Sequence, residues 1–116
     1  MPYRLEKSRD IPEKDKFGIH LNIYPAINEN CEVALVATDE GHNQEFYDQE
    51  SSFTYIILEG DGIYYLDDEE VLVSKGDFLS IAAKTRIYYK GKMKMLLITS
   101  PAWKESNEVE TRPSIW

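Results

Sequence analysis

The spacing of short apolar segments limits most strongly what this chain of 116 residues can fold into. Segments rich in β-branched and aromatic residues recur about every 8–12 residues, and glycine- or asparagine-containing turns separate them. Helical periodicity is not sustained anywhere, so the spacing predicts an all-β sandwich or barrel with a loop at Gly41–Asn43. The predicted strands are Ile19–Tyr24, Glu32–Thr38, Ser52–Leu58, Ile63–Leu66, Val71–Ser74, Phe78–Ile81, Arg86–Lys90 and Lys92–Thr99.

Length and charge restrict the function classes. The chain fits one domain, residues 1–116, and its net charge of −8 argues against a nucleic-acid partner. No apolar run approaches the roughly 20 residues of a membrane helix, and the N-terminus is too charged for a signal peptide. Cys31 is the only cysteine, which is typical of a reducing compartment. We therefore expect a cytoplasmic protein that does not bind membranes.

The strand Ser52–Leu58 is apolar on both faces. Phe53, Tyr55 and Ile57 share one face, and Ile56 and Leu58 lie on the other. Because a half-exposed sheet usually alternates apolar with polar residues, something should cover the outer face as well. A homodimer is the preferred explanation, and a terminal segment of the same chain is the alternative.

Three motifs carry a resemblance to a known family. Tyr55–Gly62 is similar to the "YxVLEGxG" turn that ends the first cupin motif, and Lys75–Ile81 is similar to the "pGDxxxIP" opening of the second. Thr99–Trp103 resembles the "sPpW" end of many small bacterial cupins. The chain therefore resembles a single-domain cupin. The resemblance implies a jelly-roll barrel (double-stranded β-helix) with a core at about residues 17–103 and terminal segments packed outside.

The resemblance also locates the family's metal ligands, and this chain departs from them. The glutamate position is Phe53, and the histidine of the second motif is Ile87. The two histidines of the first motif correspond either to Phe46 and Asp48 or to Tyr47 and Gln49. Phenylalanine and isoleucine cannot donate to a metal. The departure predicts a protein without a metal or other cofactor.

The cupin register also predicts an interior wall that binds a small organic ligand, because residues two apart share a strand face. The alternative is that the aromatic residues fill a closed core, since small barrels leave little room inside. The predicted wall consists of Phe46, Asp48, Phe53, Tyr55, Ile57, Ile87 and Tyr89.

Both histidines fall outside the motif positions. His20, on the strand Ile19–Tyr24, is either a polar residue on an outer or interface face or a general base at the barrel mouth, and we include it among the ligand-binding candidates. His42, in the predicted loop, is expected to be exposed to solvent. Its alternative role is that of a displaced metal ligand paired with Asp48 or Glu50.

Three functions remain open at this stage. The preferred one is a metal-independent cupin of bacterial type that binds a small organic molecule, with a sugar-related compound as a candidate. The second is a metal-free sugar-nucleotide isomerase or epimerase, which rests on analogy between folds. The third is a protein-interaction module whose barrel is filled. A convergent pair of titratable side chains inside the barrel would favour an enzyme.

Overall fold

Ten antiparallel strands form the fold in a computed structural model that describes residues 2–116. The two short helices, Ser8–Asp10 and Glu105–Asn107, are single 3₁₀ turns, and none of the described residues belongs to a helix with the length and apolar character to cross a membrane. The strands are β1 Glu13–Lys16, β2 Ile19–Ile23, β3 Glu32–Thr38, β4 Gly41–Asp48, β5 Ser52–Leu66, β6 Glu69–Ser74, β7 Phe78–Ile81, β8 Ile87–Lys90, β9 Met93–Ser100 and β10 Glu108–Pro113.

The strand order is β1-β2-β3-β9-β5-β8-β4-β10, and β6 and β7 pair with the long strand β5. The first half of β5 pairs with β9 and β7, and its second half pairs with β8 and β6. At the bend between the halves, Gly60 has φ +85°, and a Cβ there would lie 2.1 Å from the Lys92 carbonyl oxygen. The turn predicted at Glu59–Gly62 is therefore a bend within one continuous strand, and only glycine fits at its centre.

The two edges of the sheet meet and close it into a barrel. β1 and β10 stand at opposite ends of the strand order, yet Lys16 Nζ lies 3.1 Å from Glu108 Oε1. The backbone amide of Asn43 also donates to the carbonyl of Phe17 at 2.9 Å. The terminal segments, expected outside a core at about residues 17–103, thus supply the two edge strands.

The barrel interior is aromatic and aliphatic, and it holds the core. Phe53, Tyr55 and Ile57 point inward from β5 and are 4%, 2% and 1% exposed, as the alternation predicts. On the outer face of the same strand Leu58 remains 38% exposed, so the described residues do not cover that face completely. The homodimer expected from this strand stays a prediction.

The β4 strand was expected to be a loop in its first part, and that prediction is wrong. Residues 41–43 open β4, which pairs with β8 and β10 although its sequence contains no β-branched residue. Gly41, with φ +124°, lets the chain pass so close to β8 that a Cβ would lie 2.2 Å from the Tyr89 carbonyl oxygen. Pairing on both sides, and not local propensity, makes this segment a strand.

Candidate active site

A cavity of about 70 Å³ lies inside the barrel and opens at a mouth. Buried side chains form its inner part, and charged side chains of β1, β3 and β10 stand at the mouth. The barrel is therefore not filled by its aromatic residues, as the closed-core alternative required. The inner residues are His42, Phe46, Phe53, Tyr55 and Tyr89.

His42 is the titratable base of the inner cavity. It projects from β4, is 2% exposed, and packs against the rings of Phe46 and Tyr89 at centroid distances of 4.8 and 5.6 Å. Burial, reinforced by the positive charge of Lys16, lowers the pKa of His42 to about 3. The imidazole is therefore neutral near pH 7. The amide of Gln44 donates to Nδ1 at 3.4 Å, which assigns the ring proton to Nε2.

Two tyrosines face the same cavity beside His42. Tyr55 and Tyr89 are 2% and 1% exposed, and their rings lie 5.9 Å apart in an edge-to-face arrangement. Burial raises the pKa of Tyr55 well above its usual value, and the neighbouring Tyr89 and Glu108 add to the shift. Burial followed by the charge of Glu108 likewise raises the pKa of Tyr89. Both phenols are therefore neutral hydroxyls, able to donate or accept hydrogen bonds.

A third tyrosine, Tyr64, stands behind this pair and does not line the cavity. Its ring lies 5.0 Å from that of Tyr55 and 4.6 Å from that of Tyr89, and the residue is fully buried. Within residues 2–116, its hydroxyl has no hydrogen-bond partner. A buried hydroxyl without a partner costs free energy that a phenylalanine would not.

Replacing Tyr64 by phenylalanine is therefore expected to raise the free energy of unfolding by about 1 kcal/mol, because the unpaired hydroxyl is removed and the ring packing is kept. Urea denaturation measures the change. Tyr65→Phe, at the next position of β5 on the outer face, is the matched control and should change stability by less than roughly 0.5 kcal/mol. A loss of stability in Tyr64→Phe would show that an internal water or a neighbouring group pairs with this hydroxyl.

The cavity mouth is organised by an ion pair between the two edge strands. Glu108 Oε1 accepts from Lys16 Nζ at 3.1 Å, and Oε2 accepts from Trp103 Nε1 at 2.7 Å. Lys16 Nζ also lies 5.1 Å from the centroid of the Trp103 ring. Glu32 stands on the same cavity lining, and burial raises its pKa. The mouth is thus a fixed, nearly charge-balanced frame around an apolar interior.

The structure brings together four of the eight predicted wall and ligand-binding residues, Phe46, Phe53, Tyr55 and Tyr89, whereas Ile57 is buried outside the cavity lining. Ile87 is buried outside the cavity lining. Asp48 is also buried, and its Oδ1 accepts from the amides of Glu50 and Ser51 at 2.9 and 2.6 Å. Asp48 therefore caps the turn after β4 and does not face the cavity.

The structure places His20 outside the cavity, on the outer face that was one of its two expected positions, and His42 inside the cavity. His20 lies outside the cavity in the β1–β2 hairpin, where Nδ1 contacts Asp15 at 2.6 Å and Nε2 contacts Glu13 at 2.9 Å. His42, expected to be exposed, is buried in the cavity. The error followed from treating residues 41–43 as a loop, since a loop histidine is usually solvated.

Sequence reasoning missed the residues of the mouth. Lys16 and Glu108 are 92 positions apart and meet only because the sheet closes on itself. The dipeptide Phe17-Gly18, in which both residues have positive φ, is a two-residue hairpin turn that could have indicated β1. Glu108 follows a turn and has no local signal of its role.

The family resemblance implies a divalent metal in the barrel, and the cavity residues do not fit one. A transition metal needs three or four converging donors. His42 is surrounded by aromatic rings, and Glu50 Oε2 accepts instead from Asn107 Nδ2 at 2.8 Å. In the chain from residue 2 onward, no three His, Cys, Asp or Glu side chains group closely enough to hold a metal ion.

Comparison with known proteins relates the chain to solved structures. No protein-family model matches it, and no curated protein does. The structure of Pac13 from Streptomyces, described as a unique nucleoside dehydratase, is 32% identical with a TM-score of 0.93, covering 97% of this chain and 93% of that chain. Pac13 variants H42Q, Y55F and Y89F, each with uridine, are also 32% identical, with TM-scores of 0.90, 0.93 and 0.94.

A more distant structure supports the fold alone. An RmlC-like cupin from Shewanella frigidimarina is 15% identical with a TM-score of 0.73, covering 90% of this chain and 96% of that chain. The curled antiparallel barrel, the order of the cupin motifs and the identity to Pac13 over nearly the whole length agree. This chain belongs to the cupin family.

Proposed function

We propose that this protein is a nucleoside dehydratase, which binds a nucleoside in the barrel and eliminates water from its sugar. One observation carries the proposal: a neutral, buried histidine, His42, lines an aromatic cavity together with the hydroxyl-bearing residues Tyr55 and Tyr89. Positions 42, 55 and 89 of this chain have the same residue types as the positions altered in the Pac13 variants with uridine.

Elimination of water needs a base that accepts one proton and a hydroxyl that can act as the leaving group. His42 accepts the proton from a sugar carbon, and the electron pair of that C–H bond forms the new C=C bond. The neighbouring C–O bond breaks with its electron pair, and the departing hydroxide takes up the proton now held by the His42 imidazolium, which leaves water and a neutral imidazole. An imidazole removes a carbon-bound proton only beside an activating group, so we expect the substrate to have a carbonyl next to that carbon.

The tyrosines stabilise the charge that appears during this step. Because the pKa values of Tyr55 and Tyr89 are raised, their hydroxyls stay protonated and can donate hydrogen bonds to an oxygen that becomes negative. The low pKa of His42 reflects the cost of burying a positive charge, to which the charge of Lys16 adds. Negative charge on a bound intermediate would stabilise the imidazolium and offset the cost of burying it.

The cavity also suits a nucleoside by shape and polarity. Phe46 and Phe53 supply apolar ring surface that can pack against a base, and the mouth supplies polar groups for a sugar. A neutral ligand fits this interior better than a charged one, because a cation or an anion would have to be desolvated. We also propose that the protein acts in the cytoplasm, which rests on the cysteine content and the charge of the chain.

The test compares His42→Gln with His20→Gln, the matched control outside the cavity. Purified protein is incubated with uridine and with uridine oxidised to a carbonyl at the sugar, and mass spectrometry detects loss of water. We expect turnover of a carbonyl-containing nucleoside by the wild type and His20→Gln, and a loss of at least roughly 100-fold in kcat for His42→Gln.

Two results would contradict this proposal. Equal turnover in His42→Gln and the wild type would remove the histidine from the chemistry. Binding of nucleosides without any turnover would leave a cupin that binds a small molecule, the function first expected from the sequence, and would exclude the dehydratase. A lower kcat in His20→Gln would show that His20 contributes to the reaction, although it lies outside the cavity.

A further inference from the structure

Glu108 is the most constrained polar group of the cavity mouth. It begins β10, its side chain is 10% exposed, and it belongs to the cavity lining. Its two carboxylate oxygens each have one fixed donor, Lys16 Nζ on Oε1 at 3.1 Å and Trp103 Nε1 on Oε2 at 2.7 Å. The plane and position of the carboxylate are therefore set before a ligand arrives.

The carboxylate retains capacity for two more hydrogen bonds. An ionised carboxylate offers about four lone-pair positions, and the donors from Lys16 and Trp103 use one on each oxygen. One acceptor position per oxygen remains. Two parallel hydroxyl donors with the spacing of neighbouring carbons match such a pair of oxygens, as the two N–H groups of arginine do in a bidentate ion pair.

A vicinal cis-diol presents two hydroxyls in this way, and a ribonucleoside has such a diol on its sugar. We propose that Glu108 accepts both hydroxyls of a vicinal cis-diol and thereby selects ribonucleosides over deoxyribonucleosides. This inference rests on the proposed function, because it assigns the sugar of the same ligand. Glu108 is a specificity-determining residue here, and the proposal gives it no proton to transfer.

The position of Glu108 relative to the inner cavity agrees with this role. Its charge contributes to the raised pKa values of Tyr55 and Tyr89, and the charge of its partner Lys16 contributes to the lowered pKa of His42. All five side chains line the same cavity. A sugar held by Glu108 would have its carbons next to the base that the dehydration requires.

If the ion pair between Lys16 and Glu108 had only a structural role, Glu108→Gln would change the ligand affinities in a different way. Lys16 and Glu108 also join the two edge strands, so Glu108→Gln could weaken binding of every ligand by loosening the mouth. Such loosening would lower the affinities for uridine and its deoxy analogues together. Only recognition of the diol changes the ratio of these affinities, and the ratio is therefore the decisive readout.

The experiment measures dissociation constants by isothermal titration calorimetry for uridine, 2′-deoxyuridine and 3′-deoxyuridine. For the wild type we expect each deoxy analogue to bind roughly tenfold to a hundredfold more weakly than uridine, as the loss of a hydrogen bond to a charged group implies. In Glu108→Gln the ratio should fall to within about threefold, since the amide offers a single acceptor oxygen. Glu110→Gln, an exposed position on the same strand, should keep the wild-type ratio.

Three results would overturn the inference. Equal affinities of the wild type for uridine and 2′-deoxyuridine would show that the diol is not recognised, while nucleoside binding itself would still stand. A wild-type ratio retained in Glu108→Gln would assign the selectivity to another group. If neither uridine nor its analogues bind to the wild type, the proposed function fails along with the inference, and that result differs from a loss of selectivity.

Discussion

The free energy of unfolding of the wild-type protein is expected to fall by about 2 kcal/mol between pH 7 and pH 5 through His42 alone, and by about 4 kcal/mol by pH 3. The folded protein holds the pKa of this residue at about 3, whereas an unfolded histidine titrates near 6.5. As the pH falls below 6.5, His42 binds a proton in the unfolded state but stays neutral in the folded state. Stability is therefore lost progressively between pH 6.5 and pH 3.

His42→Gln isolates this contribution. The variant lacks the titrating group, so the difference in free energy of unfolding between the wild type and the variant should change with pH over this window. Other groups titrate in the same range, among them the exposed His20, whose pKa is raised by Asp15 and then by Glu13. They are common to both proteins and cancel in the difference.

Urea denaturation at pH 7, 6, 5 and 4, followed by tryptophan fluorescence, gives the two curves. Parallel curves for the wild type and His42→Gln would mean that His42 titrates normally in the folded protein.

A second measurement follows from the causes of the pKa shift of His42. Lys16→Met should raise the pKa of His42 in an NMR titration, because it removes the positive charge that reinforces the effect of burial.

Local sequence signals predicted those strands that are rich in β-branched and aromatic residues. The segments β2, β3, β7 and β9 lie where the apolar spacing placed them, within one or two residues at each end. The strands β1, β4 and β10 are polar, and they are strands because they pair with partners distant in sequence. The residue types within a strand do not show which distant strands it pairs with.

The same difference between local sequence signals and long-range strand pairing explains which site residues the sequence predicted. Phe53 and Tyr55 were placed correctly, because alternation along β5 determines which side chains point inward. On β4 the pairing with β8 shifts register between His42 and Phe46, so counting along the strand identified Phe46 and missed His42. The mouth depends on the closure of the whole sheet, which brings Lys16 to Glu108.

A buried carboxylate on the outer face of β4 holds the strand that carries His42 against the strand that carries Glu108. Glu45 is 1% exposed, and its oxygens accept from Arg86 Nη1 at 3.3 Å, Arg112 Nη2 at 3.1 Å and Thr111 Oγ1 at 2.7 Å. Asp68 pairs with the same two arginines from the β5–β6 turn, but its side chain is 57% exposed. The two carboxylates therefore share their partners and differ in burial.

Removing the charge of Glu45 is expected to cost much more than removing that of Asp68. Glu45→Gln should lower the free energy of unfolding by about 2–3 kcal/mol, below the full cost of breaking a buried pair because Arg86 and Arg112 are partly exposed and keep Asp68. Asp68→Asn should cost much less, and only this smaller loss should shrink in high salt. Urea denaturation at low and high ionic strength measures both losses.

The position of Glu45 adds a functional consequence to this stability effect. Thr111 and Arg112 belong to β10, so the contacts of Glu45 fix β10 against β4 on the face opposite the cavity. We expect Glu45→Gln to weaken uridine binding severalfold without changing the ratio between uridine and 2′-deoxyuridine, because it loosens the strand and leaves the Glu108 carboxylate intact. Equal stability losses in Glu45→Gln and Asp68→Asn would show that burial of Glu45 does not strengthen its ion pairs.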